Sequence, residues 1–221
     1  MEIEAKFIVP DEATFARLAR LKTLHGYRLA AAQIKHLHDV YLDTVAYDVL
    51  RGGYACRLRR KNGTAPLLAL KSLSPASGVV HVREELENAL PATCGLDYTA
   101  WPSSPAVVLL HALARGEPLA PLFELYQQRR VQVLLHPAGH PLIELSLDRV
   151  RYAGASGEEL GLEAELLAPD ARPLLDQLAG ELQTTWGLVP QIRTKFEQGL
   201  SLACPQLHVP MEVTHEQTGP V

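Results

Sequence analysis

Several short segments of the chain place charged side chains at every second position. Arg57, Arg59 and Lys61 alternate with Cys56 and Leu58. Side chains at alternate positions of a β-strand lie on the same face, so this spacing predicts a strand with one charged and one apolar face. Further segments with this alternation carry Lys71; Arg83, Glu85 and Glu87; Glu124, Tyr126, Gln128, Arg130 and Gln132; Glu144, Ser146 and Asp148; and Glu163 and Glu165.

The charges on these faces are sorted by sign. Arg57 and Arg59 share one face, and Glu163 and Glu165 share another; like-charged neighbours destabilise a sheet unless an opposite charge is close. Any single strand could instead turn its charged face to water, because half-solvated antiparallel strands are common. Thr, Ser and Asn are scarce among these charges, which favours a barrel that encloses both sets and lets each supply the countercharge of the other.

Cationic and anionic side chains in one enclosure suit a polyphosphate together with a divalent metal. Arg forks and Lys ammonium groups bind phosphate oxygens. Paired Glu carboxylates are suitable ligands for Mg²⁺ or Mn²⁺, which keep part of their water shell. Hydrolysis of a phosphoanhydride then requires positioning, charge neutralisation and an activated water. The pattern therefore favours metal-dependent chemistry on a triphosphate.

Turn residues separate the alternating segments. Asn62-Gly63 lies between two alternating runs and predicts a β-hairpin, while Gly52-Gly53 and residues 74–78 predict further turns. Helical spacing predicts helices over 11–24 and 170–187, and one near 105–115. Strands are predicted over 1–9, 37–44, 54–61, 66–72, 79–88, 123–136, 141–152 and 159–167. Many short strands with few helices indicate a meandering barrel or a sandwich.

The composition of the 221 residues restricts the class of protein. The formal net charge of −4 gives no general reason to expect nucleic-acid binding. No apolar run reaches the length of a membrane span, and the acidic start Met1 to Glu4 does not resemble a signal peptide. The cysteines, Cys56, Cys94 and Cys204, are odd in number and widely spaced, as is typical of reduced thiols. We therefore expect a cytoplasmic protein without a membrane partner.

The N-terminal Glu2-Ile3-Glu4-Ala5-Lys6 fits the Glu-x-Glu-x-Lys signature of the CYTH superfamily, the triphosphate tunnel metalloenzymes. Segments similar to those of the family follow in its order over about residues 1–200: 38–44, 50–59, Lys71, 83–87, Arg130, 144–148, 163–165 and 194–197. The resemblance implies an α+β fold that is mainly antiparallel β, with an eight-stranded closed barrel, or tunnel, and a few flanking helices. It also implies a bound triphosphate and one or two divalent metal ions.

The insert around 101–123 resembles that of bacterial CYTH domains found beside a CHAD domain in inorganic triphosphatases. No CHAD domain follows within the 221 residues. We expect a CYTH tunnel domain over 1–203, and a flexible tail or truncated linker over 204–221, which is rich in proline and lacks apolar periodicity.

The resemblance also assigns roles to individual residues. Phosphate oxygens would be bound by Lys6, Arg57, Arg59, Lys71, Arg83, Arg130 and Lys195. Metal ions would be held by Glu2, Glu4, Glu85, Glu87, Asp148, Glu163 and Glu165. Glu2, Glu4 and Lys6 are the candidate catalytic residues, with Lys6 assisting the attacking water. Arg129 competes with Arg130 for the phosphate role, and the shared parity of Arg130 with Tyr126 and Gln128 favours Arg130.

Three functions remain open from the sequence. The first is hydrolysis of inorganic triphosphate or a small organic triphosphate with Mg²⁺ or Mn²⁺. The second is an adenylate cyclase that makes cyclic AMP, although the sequence shows no purine-binding feature. The third is a non-catalytic module that binds polyphosphate or nucleotides, against which the paired carboxylates argue. We expect no nucleic-acid partner, and a homodimer is left open.

Overall fold

The computed structural model describes residues 1–73 and 79–205. The turn predicted over 74–78 and most of the tail or linker predicted over 204–221 lie outside this part. Within it, twelve strands form a single antiparallel sheet. The strands are β1 Glu2–Ile8, β2 Thr23–Leu24, β3 Tyr27–Leu29, β4 Gln33–Asp43, β5 Tyr54–Lys61, β6 Leu67–Ser72, β7 Val80–Arg83, β8 Glu85–Ala89, β9 Ala120–Leu135, β10 Pro141–Tyr152, β11 Glu159–Leu166 and β12 Val189–Pro190.

The helices of the described residues are short. They are α1 Glu12–Ala19, α2 Asp48–Arg51, α3 Pro105–Ala114, α4 Arg172–Thr184 and α5 Lys195–Ala203, with 3-10 turns at Tyr98–Ala100 and Pro169–Ala171. The helix predicted over 11–24 begins as expected, because the Asp11 carboxylate accepts from the Thr14 N–H. It ends at Ala19, since β2 pairs with β3 instead. None of these helices combines the length and the apolar character needed to cross a membrane.

The sheet curls into a nearly closed barrel. Its strands run in the order β12-β1-β11-β10-β9-β4-β5-β6-β8. β7 and β8 flank Glu84; β7 pairs with β1 and β8 pairs with β6, so this segment joins the two sides of the sheet. The predicted antiparallel barrel with flanking helices is confirmed. The strand count exceeds eight because the joining segment is divided at Glu84 and because β2, β3 and β12 are short additions.

Helices cover the outside of the barrel on two sides. α1 and α4 pack over β1, β10 and β11, where Phe7, Leu162 and Leu178 belong to one buried cluster. α3 packs over β6 and β8, where Leu70 and Leu110 belong to a second cluster. Burial of a side chain of this size contributes about 1.5–3 kcal/mol. Because the apolar faces of these strands are buried beneath helices, their charged faces point into the barrel.

A third apolar cluster lies inside the barrel at one end, and we call it the plug. α5 places Phe196 and Leu200 against Tyr41 and Phe123. Tyr41 and Phe123 have the parity of the inward-facing charges on their strands, so the cluster occupies the interior. Gly199 of α5 lies so close to the Phe123 ring that a Cβ atom there would collide with it. The plug therefore fixes α5 in place, with Lys195 at its first turn.

Candidate active site

The barrel interior holds a cavity of about 200 Å³ beside the plug. Its wall consists of Glu2, Glu4, Lys6, Tyr41, Ala55, Arg57, Arg59, Lys71, Leu73, Arg83, Glu85, Glu87, Arg129, Glu163, Glu165, Thr194, Lys195 and Phe196. Every residue predicted for the site lies in this wall except Arg130 and Asp148. The alternation of each strand therefore brings together the cationic and anionic sets that the sequence shows separately.

Glu163 lies at the centre of a group of cations. Lys195 Nζ lies 2.5 Å from Glu163 Oε1, Arg129 donates to the other carboxylate oxygen, and Lys6 Nζ lies 3.8 Å away. Burial alone raises the pKa of Glu163. Attraction to Lys195, Arg129 and Lys6 outweighs burial and holds the pKa well below its usual range. Glu163 is thus a fully charged carboxylate whose charge is already compensated by the protein.

Lys6 links this group to β1. Its Nζ lies 2.7 Å from Glu4 Oε1, and β1 pairs with β11 so that Lys6 is opposite Glu163 and Glu4 is opposite Glu165. Burial lowers the pKa of Lys6, but attraction to Glu4 and Glu163 outweighs it and raises the pKa. Lys6 therefore remains an ammonium group, which can donate to a phosphate oxygen or to a water but cannot act as a base.

Asp148 lies behind these cations. It is 1% exposed and accepts two hydrogen bonds from Arg129, at 2.8 Å from Nε and 2.7 Å from Nη2, and a third from Lys195 at 3.1 Å. Asp148 thus orients two cations of the cavity wall. Its assignment as a metal ligand stays a prediction, since in this arrangement both carboxylate oxygens are engaged by cations.

The placement of Arg130 in the barrel interior is wrong, and Arg129 takes that place. Arg130 lies on the outer face of β9, at a small cavity lined by leucines of α1 and β10. The parity argument failed because the outer face of β9 near Tyr126 has no covering helix and is polar for that reason. The inner face carries Phe123 and Leu125 as part of the plug, so apolar residues mark the inside of this strand only at its plug end.

Asp39 is a site residue to which the sequence analysis gave no role. It is 0% exposed, and it accepts two hydrogen bonds of 2.7 Å from Arg59 and one of 3.1 Å from Gln127. Arg57 lies 3.8 Å away. Burial raises the pKa of Asp39, but Arg59 and Arg57 outweigh it and lower the pKa. A parity match between Asp39 and Tyr41 opposite the Arg-x-Arg strand is the signal that could have identified it.

A second group of carboxylates is compensated only in part, by Lys6 at Glu4 and by Lys71 at Glu2. Glu165 faces Glu2, Glu4 and Glu144, and burial together with these negative charges raises its pKa to about 7. The positive charge of Lys71 lowers the pKa of Glu165 but does not outweigh the negative charges. Lys71 is shared between two other carboxylates, since its Nζ lies 2.9 Å from Glu2 and 3.1 Å from Glu85. We call Glu2, Glu4, Glu144 and Glu165 the acidic cluster. It is an excess of negative charge in a largely enclosed space.

The acidic cluster has the donor chemistry that a hard divalent cation requires. Mg²⁺ and Mn²⁺ prefer carboxylate oxygens, and the raised pKa of Glu165 reports a site that would be stabilised by added positive charge. Within residues 1–73 and 79–205, no three His, Cys, Asp or Glu side chains converge into a ready coordination group. The acidic cluster thus fits a divalent cation by the charge and the type of its ligands, and not by a preformed coordination geometry.

A larger side cavity of about 680 Å³ adjoins the site. It shares Glu163 and Lys195 with the barrel cavity. The rest of its wall is mixed, with apolar Val9, Leu160, Pro190 and Ile192 and polar Glu159, Gln191, Arg193 and Gln198. The side cavity therefore offers a less charged surface directly next to the charged interior.

Comparison with known protein families gives one match that covers most of the chain. The model of the CYTH domain matches residues 1–183. A search of curated protein sequences gives no significant match.

Solved structures share the fold over most of the chain. A putative adenylyl cyclase from Hippeastrum, for which a dominant triphosphatase activity is described, is 24% identical with a TM-score of 0.70, covering 96% of this chain and 99% of that one. A putative adenylate cyclase from Bacillus halodurans is 23% identical with a TM-score of 0.62, covering 90% and 96%. The PH1819 protein of Pyrococcus horikoshii OT3 is 16% identical with a TM-score of 0.57, covering 91% and 99%.

Proposed function

The chain belongs to the CYTH domain family, and we propose that it hydrolyses a phosphoanhydride bond of inorganic triphosphate, or of a small organic triphosphate, inside the barrel. The observation that carries the proposal is the cavity wall, in which seven cationic side chains face one space together with Glu2, Glu4 and Glu165 of the acidic cluster. These cations are Lys6, Arg57, Arg59, Lys71, Arg83, Arg129 and Lys195. A compact polyanion is the ligand that this many converging cations suit.

The acidic cluster supports hydrolysis over simple binding. A site built only to hold a polyanion gains little from a buried carboxylate such as Glu165, whose neighbours Glu2, Glu4 and Glu144 are also negative, because carboxylates repel phosphate. With Mg²⁺ or Mn²⁺ held by these carboxylates, the metal would supply charge neutralisation and a bound water of lowered pKa. The third alternative, a non-catalytic module, therefore leaves the cluster without a role.

The protein's own residues would perform the remaining work. Arg129 and Lys195 are held rigidly by Asp148, so they are preorganised to bind phosphate oxygens where negative charge develops. Lys6, between Glu4 and Glu163, would orient the attacking water or a terminal phosphate oxygen. The plug closes one end and limits the entry of bulk water, which strengthens each of these electrostatic interactions.

The neighbour from Hippeastrum supports this reading, since a dominant triphosphatase activity is described for a putative adenylyl cyclase of the same fold. The side cavity supports an organic triphosphate as second candidate substrate, because an organic group attached to the bound phosphates would reach an apolar surface next to Lys195. An adenylate cyclase would use the same cavity for its nucleoside and remains the alternative within the family.

The experiment is a substrate comparison. Purified protein is incubated with inorganic triphosphate, ATP or thiamine triphosphate, each with Mg²⁺ or Mn²⁺, while phosphate, pyrophosphate and cyclic AMP are measured. Metal-dependent phosphate release is expected. Cyclic AMP with pyrophosphate would identify a cyclase, and binding without turnover under either metal would leave a binding module.

Two matched variants connect the activity to the cavity. Arg59→Ala should lower kcat/KM by about a hundredfold, because it removes a charge-assisted contact to substrate and leaves Asp39 with only Gln127 and the more distant Arg57 as partners. Arg60→Ala, which removes the outward neighbour on the same strand, should stay within about threefold of the wild type. Ile192→Asp in the side cavity should reduce turnover of an organic triphosphate only.

A further inference from the structure

Arg83 differs from the other cations of the cavity wall in what holds it. Among the described residues, each of the others lies within ion-pair distance of at least one carboxylate: Lys6 of Glu4, Arg57 and Arg59 of Asp39, Lys71 of Glu2, and Arg129 and Lys195 of Asp148. Arg83 has no such carboxylate in that part of the chain, although it is only 7% exposed. A buried guanidinium needs hydrogen-bond acceptors, because desolvation costs several kcal/mol.

The acceptor is His81. Arg83 Nη2 lies 2.8 Å from His81 Nδ1, and the imidazole is 2% exposed. Burial, then the positive charges of Arg83 and Lys6, lower the pKa of His81 to about 4, while Glu4 acts in the opposite direction. A guanidinium can only donate, so the 2.8 Å contact requires a ring nitrogen that accepts; Nδ1 is that acceptor when the ring is neutral and carries its proton on Nε2.

A neutral acceptor has a different consequence from a carboxylate. Asp39 orients Arg59 but also cancels much of its charge, whereas His81 can orient Arg83 and leave the full charge in place. The register opposite β1 places Arg83 next to Glu2 and His81 next to Glu4, so both side chains face the cavity interior. Arg83 Nε is buried with no hydrogen-bond partner among the described residues, which leaves a donor for a ligand.

We propose that His81 is a positioning residue that holds Arg83 as an oriented, uncompensated cation for a phosphate group of the substrate. The proposal rests on the proposed function, since it assigns Arg83 to that substrate. It separates His81 from an ordinary packed histidine, whose replacement would lower stability without acting through Arg83.

The test is a double-mutant cycle on His81 and Arg83, read as the Kd for inorganic triphosphate without added metal and as kcat/KM with Mg²⁺. His81→Leu keeps the apolar volume and removes the acceptor, and it should weaken binding about tenfold. His81→Asn places an amide oxygen near the position of Nδ1 and should bind within about threefold of the wild type. In an Arg83→Ala background, His81→Leu should have no further effect on binding.

His81→Asp gives a second measurement. A carboxylate at this position keeps Arg83 oriented but neutralises it, so binding should weaken although the protein remains folded by thermal unfolding. Equal losses from His81→Leu in the presence and absence of Arg83 would overturn the proposal, as would unchanged binding in both His81→Leu and His81→Asp. If the wild type binds triphosphate without hydrolysing it, the proposed function fails while this cycle is still decided by Kd. A wild type that binds no triphosphate overturns both.

Discussion

Glu163 and Glu165 lie two positions apart on the same face of β11, yet their surroundings act on them in opposite directions. Cations surround Glu163 and hold its pKa well below the usual range. Carboxylates surround Glu165, and burial with their repulsion raises its pKa to about 7. One half of the cavity is therefore electrostatically complete, and the other half gains stability only when positive charge is added.

This difference separates two tasks within one cavity. The complete half fixes Arg129, Lys195 and Lys6 before any substrate arrives, so little reorganisation is needed when a polyphosphate binds. In the acidic half the carboxylates repel one another, and a bound divalent cation would reduce this repulsion. Metal binding should therefore raise the stability of the protein. Removing a carboxylate should therefore have opposite effects on stability in the two halves.

The largest effect is expected from Glu163→Gln. The change leaves Lys6, Arg129 and Lys195 with only part of their compensation, and breaking a buried ionic group by removing one member costs about 3 kcal/mol or more. The free energy of unfolding in urea, measured with EDTA present, should fall by about that amount. Glu163→Gln with stability equal to that of the wild type would mean that the complete half contributes nothing to folding.

Glu165→Gln should instead affect activity more than stability. It removes a proposed metal ligand and relieves repulsion with Glu2 and Glu4, so the metal-free variant should be at least as stable as the wild type. At limiting Mg²⁺, kcat/KM should fall by about a hundredfold, with partial recovery at high metal concentration. The same urea titration and a metal titration of phosphate release check both statements. A destabilised, fully active variant would contradict the comparison.

A smaller effect distinguishes two neighbouring arginines. Arg129→Ala should lower kcat/KM by about thirtyfold, because it removes a charge-assisted contact to phosphate. Arg130→Ala, on the outer face of β9, should change kcat/KM by less than about threefold and act mainly on stability. Steady-state kinetics on inorganic triphosphate decides between them. A reversed order would restore the parity argument that the structure overturns.

The same pair shows how far the sequence alone can go. The alternation of charged and apolar residues predicts most of the cavity wall correctly. It does so because helices cover the apolar faces of β1, β5 and β11, so the charged faces of these strands must point into the barrel. On β9 that condition fails, since its outer face near Tyr126 meets solvent and its inner face meets the plug. Parity tells which residues share a face, but only the long-range packing tells which face is inside.

Long-range register explains the other omission. Asp39 binds Arg59 through the pairing of β4 with β5, and α2 separates these strands in the chain. The Asn62-Gly63 turn fixes the register of β5 with β6 but gives no information on β4. The fold class could therefore be predicted from local alternation and the family motif, whereas the partner of each buried cation could not.

The smallest effect is a pH dependence confined to the acidic half. The folded-state pKa of Glu165, about 7, lies above its ordinary value of 4.5. Between these pH values the folded state keeps a proton on Glu165 that the unfolded state releases, so this stabilising contribution is complete below pH 4.5 and is lost as the pH rises through 7.

In EDTA, the wild type should therefore lose thermal stability between pH 5.5 and 8 relative to Glu165→Gln. Added Mg²⁺ should abolish the difference at pH 8 by stabilising the wild type alone, because a bound cation takes the place of the proton. A difference that is independent of pH would show that Glu165 is ionised throughout and that the acidic cluster is less enclosed than its geometry implies.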